Sequence, residues 1–132
     1  MTHPHEQPAG NEESEQSLRS EEDARILAEL ARAQGHVPIP LPLVAKRPGT
    51  VATLIAHKNQ IMEGGPLTQK ERSLIALSSA VAVKSTECIR AHAAHARKAG
   101  ATEDEVVQAV LIAGFVCGMS PIRAAYQGLP RE

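Results

Sequence analysis

The chain has 132 residues, 14 basic against 15 acidic side chains, and a single Tyr and a single Phe. Near-neutral charge excludes the basic excess that neutralises a phosphate backbone, and the missing aromatics exclude base-stacking platforms, so nucleic acid is not an expected partner. Two cysteines are too few for a secreted disulfide framework and point to buried thiols or to redox chemistry in a reducing compartment.

Residues Met1 to Leu18 carry Glu, Gln, Ser, Asn, Pro and Gly with hardly any apolar content, which predicts a disordered tail, with His3 and His5 solvated in it. This acidic start shows no charged-then-apolar signal pattern. The most apolar stretch, Val106 to Cys117, falls short of the ~20 residues that span a bilayer. Together these predict a cytoplasmic protein that does not enter a membrane. Residues 19–132 are of a size for one domain.

Ser20 reads as the N-cap of a first helix, with Glu21, Glu22 and Asp23 at its positive end, Ile26, Leu27 and Leu30 as its apolar stripe and Gly35 as its stop. Prolines at 38, 40 and 42 predict an extended segment from Val37 to Leu43. A second helix starts at about Leu43 or at Pro48 and runs to Met62, where Gly64-Gly65-Pro66 breaks it. Thr68 and Glu71 then form a capping box for a helix that is apolar on most sides and so predicted to be central and buried. Ser85 caps the next helix, which ends at Gly100. Thr102 and Glu105 make a second capping box for a helix to about Gly118, and Ser120-Pro121 opens a short last one. The expected fold is all-α.

The stretch Ser85-Thr86-Glu87-Cys88-Ile89-Arg90-Ala91-His92-Ala93-Ala94-His95 carries the chemistry. At ~100° per residue, Cys88, His92 and His95 share one helix face. With Ser85 as cap, Cys88 lies in the first turn, where free amides and the helix dipole favour a thiolate. Three readings stay open at this point: a cysteine and a histidine packed in a helix interface, a reactive thiol with His92 as its proton partner, and a metal site of Cys88, His92 and His95 that lacks an evident fourth ligand. Cys117 lies at a similar height to Cys88 on the far side of the Gly100 turn, so that a redox pair is possible in principle. A buried Cys117 without a partner is the simpler expectation.

Leu67-Thr68 with Lys70-Glu71-Arg72-Ser73-Leu74-Ile75-Ala76-Leu77, then Cys88-Ile89 with Ala91-His92, then Ala99-Gly100-Ala101-Thr102 with Asp104-Glu105-Val106, and finally Gly118-Met119-Ser120-Pro121, resemble the carboxymuconolactone decarboxylase / alkylhydroperoxidase D-like family over roughly residues 43–126. The resemblance implies a compact all-α multi-helix domain that assembles as a trimer or hexamer. It also implies a small-molecule peroxide or lactone as substrate and, for the peroxidase branch, a thiol reductant. No cofactor or metal is implied. Active peroxidase members use a Glu, a Cys-x-x-Cys and a His. In this chain Cys88 and His92 match the second Cys and the His, whereas Ser85 stands at the first Cys and Ser73 at the Glu. The expected activity is a thiol-dependent antioxidant peroxidase or reductase, with Cys88 as nucleophile and His92 in proton transfer, in a site that includes Ser85 and His95. A decarboxylase-like lyase and a non-catalytic oligomeric binding protein are the alternatives. The chain is too poor in large side chains to bury its apolar helices alone, so a homo-oligomer held by Leu74–Val83 and Val106–Val116 is expected.

Overall fold

A computed structural model describes residues 9–130; the proposed positions of His3 and His5 lie outside them. Six helices follow in order: α1 (Ala9–Gln34), α2 (Leu41–Val44), α3 (Thr50–Met62), α4 (Gln69–Ala82), α5 (Thr86–Lys98) and α6 (Glu103–Gly128). No strand occurs among the described residues, so the all-α expectation holds. The chain forms two compact units, one ending at Ile61 and the other beginning at Met62.

In the first unit, α1 starts at Ala9, well before the Ser20 cap that the sequence suggests, so residues 9–18 are helical rather than disordered. Glu, Gln, Leu and Arg are good helix formers even where nothing is buried. Ion pairs one turn apart add to this, Glu15 with Arg19 at 3.9 Å and Arg25 with Glu29 at 2.9 Å. Asp23 consequently sits inside the helix and not at its start. It is 1% exposed, and its Oδ2 and Oδ1 accept from the backbone N–H groups of Gly49 and Ala52, both at 2.9 Å. Gly49 and Ala52 flank the start of α3, so a side chain of α1 satisfies the first-turn donors of another helix. Gly49 has φ +86°, and a Cβ there would stand 3.3 Å from Arg19 Cδ, so both conformation and space call for glycine. The segment Val37 to Leu43 is not extended throughout: α2 forms at Leu41 with proline in its first positions, where a missing N–H costs nothing.

In the second unit, Thr68 accepts from the Glu71 N–H at 3.1 Å while Glu71 Oε2 accepts from the Thr68 N–H at 2.7 Å. Thr102 and Glu105 repeat the arrangement at 3.2 and 2.8 Å. Both capping boxes are thus formed. Arg72 Nη1 donates to the carbonyls of Gly64 and Leu67, tying the glycine turn to α4. α4 packs along both α5 and α6, which touch each other far less. The core is Leu77, Ala93, Ala96, Val106 and Ala109, with Leu74, Val81, Ile89 and Ala101 against it. α4 is central, but it buries one face only, Ser73, Leu77 and Ala80 at a spacing of four and three, while Ile75 is exposed.

α6 departs most from expectation. It runs unbroken to Gly128 with Pro121 inside it. Proline removes one i to i−4 bond, here the one to the Cys117 carbonyl, and on an exposed helix water can take that place. The continuous helix is also long and apolar enough, by length and composition alone, to cross a membrane, which the Val106 to Cys117 stretch was not.

Candidate functional site

The start of α5 is set by the end of α4. Lys84 N–H donates to the Val81 carbonyl at 3.0 Å and Ser85 N–H to the Ala80 carbonyl at 3.1 Å. These are the two bonds of a Schellman turn, which requires a left-handed residue between them. Lys84 supplies it at φ +58°, a conformation that glycine usually takes. The same turn closes α5, with Gly100 at φ +93° and bonds from Gly100 to Arg97 and from Ala101 to Ala96.

Ser85 follows as the N-cap of α5 in extended conformation, but its hydroxyl makes no capping hydrogen bond. In this it differs from Thr68 and Thr102, whose side chains each accept from the third amide of their own helix. Cys88 is the third residue of that helix, and its thiol is exposed. Ile89, Ala93 and Ala96 turn toward the core and fix the rotation of α5. With ~100° per residue, His92 then falls beside the buried face, with Cys88 and His95 further toward solvent. His92 is half-buried and His95 exposed, as this register requires. Their rings meet edge to face, centroids 5.9 Å apart at 69°. The ring contact joins the two histidines and does not include the thiol. Ser73 is buried in α4 at 6% exposed.

One expectation about the cysteines needs correction. Cys117 is exposed rather than buried, because α6 has run past α4 at that point and nothing of the unit covers it. Both thiols are free, and α5 and α6 meet at the Gly100 turn but pack chiefly on α4. The metal reading finds no support: among the described residues no three His, Cys, Asp or Glu side chains are grouped to hold an ion.

Charged pairs brace the far end of the helices. Arg97 donates to Glu103 through Nε at 3.0 Å and Nη2 at 2.9 Å, across the turn between α5 and α6. This fork holds the Glu103 carboxyl below its ordinary range and the guanidinium above its own. Lys70 Nζ reaches Glu105 at 3.0 Å, joining the N-termini of α4 and α6. The Thr102 N–H first, and Lys70 second, lower the Glu105 carboxyl.

The sequence profile described as the carboxymuconolactone decarboxylase family matches residues 48–129, which include α3 to α6 and leave α1 and α2 outside. No curated protein and no solved structure matches the chain.

Proposed function

The chain belongs to the carboxymuconolactone decarboxylase family, and from that premise we propose that it reduces small hydroperoxides through Cys88, with His92 as proton-transfer partner. The observation that carries this reading is the placement of an exposed thiol in the first turn of α5, one helical turn ahead of His92. The thiolate attacks the distal oxygen of the hydroperoxide, the O–O bond breaks, and the sulfur leaves as a sulfenic acid while an alkoxide departs. His92 delivers the proton that makes the alkoxide an alcohol, and the adjoining His95 ring extends toward solvent. Ser85 cannot condense with a sulfenic acid. An external thiol therefore forms a mixed disulfide and releases water, and a second thiol restores Cys88.

A second reading is favoured by Ser73 and Ser85, which remove the glutamate and first cysteine of a peroxidase motif. In that reading the chain is a decarboxylase-like lyase on a small lactone, with His92 as acid and base and Cys88 incidental. The two separate on one experiment. Under the peroxidase reading, iodoacetamide labels Cys88 at neutral pH well ahead of Cys117, Cys88→Ser abolishes thiol-dependent peroxide consumption, and His92→Ala slows it at least tenfold. If Cys88 stays reduced while peroxide is consumed, or nothing is consumed, the peroxidase reading falls and the lyase or a non-catalytic binding role takes its place.

A further inference from the structure

The first unit holds a feature that the thiol chemistry does not use. A cavity of about 440 Å³ lies between α1 and the start of α3, within the size range of small-molecule sites. Arg19 and Glu22 line it from α1 and Arg47 from the turn before α3, while Pro48, Ala52 and Leu54 form an apolar wall. Asp23 already accepts from the Gly49 and Ala52 amides, so the positive charge of the cavity comes from side chains and not from the end of α3. Neither guanidinium is paired within the cavity. Arg19 reaches Glu15, which does not line it, at 3.9 Å, and the Arg47 side chain has no hydrogen bond or ion pair among the described residues. The stem of Arg19 rests on Gly49, where an added Cβ would stand 3.3 Å from Arg19 Cδ. A group already seated by packing gives up less freedom when a ligand arrives.

We propose that this cavity binds a small aliphatic carboxylate, with Arg19 and Arg47 on its oxygens and Pro48, Ala52 and Leu54 along its hydrocarbon chain. A guanidinium fork fits the paired oxygens of a carboxylate or a phosphate. Two features choose the carboxylate. Glu22 stands against the two arginines in the lining, which leaves a single positive charge in excess, a match for a monoanion and a poor one for a dianion. The apolar wall gains nothing from inorganic phosphate but is covered by a hydrocarbon chain, and Leu54, 44% exposed, is the side chain with most to gain. The site stands apart from Cys88 in the chain and does not rest on its chemistry.

Isothermal titration calorimetry of the full chain with octanoate tests this. The wild type is expected to bind octanoate saturably, and octanol, which lacks the charge, about tenfold more weakly or worse. Arg47→Gln removes an exposed side chain that has no partner to lose, so folding is not at stake, and it should weaken octanoate by about tenfold. Glu22→Gln removes the opposing charge and should tighten binding by about threefold at low ionic strength. Inorganic phosphate should bind less tightly than octanoate. Absence of saturable octanoate binding overturns the proposal, as does an Arg47→Gln chain that keeps the wild-type affinity. Octanol that binds as tightly as octanoate, or phosphate that binds more tightly, equally overturns it.

Discussion

Asp23 does for α3 what Thr68 and Thr102 do for their own helices, but from another helix. Its two oxygens serve two first-turn donors, and at 1% exposure no water stands ready to replace them. Asp23→Ala leaves both N–H groups unpaired and should cost about 2–3 kcal/mol. Asp23→Asn should fall between, since one amide oxygen can still accept while the amide nitrogen faces a donor. Denaturant midpoints followed by helical circular dichroism give both numbers. Lys84 is the converse case, a residue whose backbone works against it. A non-glycine residue at φ +58° is strained, and Lys84→Gly should stabilise the protein by about 0.5–1 kcal/mol, read from the same midpoints. The strain lies directly before Ser85, so the variant also asks whether the start of α5 needs a stiff joint.

At the scale of elements, the capping boxes were fully legible in the sequence because every participant lies within four residues. Gly100 was legible for the same reason: a glycine after a helical run carries its own signature. The cap from Asp23 left no such mark, since its partners Gly49 and Ala52 are 26 and 29 residues away. The run that places Cys88, His92 and His95 on one side of α5 was readable from spacing. The depth of each depended on how Ile89, Ala93 and Ala96 seat the helix, and that is a packing outcome. The unbroken α6 was not readable, because proline and glycine usually end helices and here only solvent surrounds them. The second box has a pH consequence. The Glu105 carboxyl is lowered in the folded state by the Thr102 N–H and by Lys70. The stabilisation is present in full above the unfolded carboxyl value of about 4.3 and is lost as pH falls through the lower folded one. Thermal melts across pH should therefore show Glu105→Gln less stable than wild type at neutral pH, with the gap closing in acid below about pH 4.

On the scale of the whole molecule, family membership and an all-α architecture were within reach of the sequence, since helix periodicity and caps are local. The boundary of the first unit was not. A stretch poor in apolar residues reads as unstructured, yet Ala9 to Leu18 continues the helix that positions Asp23. The family match begins at Pro48, so the side chain that caps α3 comes from outside the matched segment. The order of packing in the second unit has its own consequence. α4 meets α5 and then α6, each its near neighbour along the chain, with little contact between the last two. Contacts between neighbours in sequence close short loops and form fast. On a ribosome, α4 and α5 can settle their shared face while α6 is still being made, and the first three turns of α6 then close over Leu77. The exposed residues beyond Ala113 follow those three turns in the chain, so the part of α6 that its own unit leaves bare is made only after the part that the unit covers.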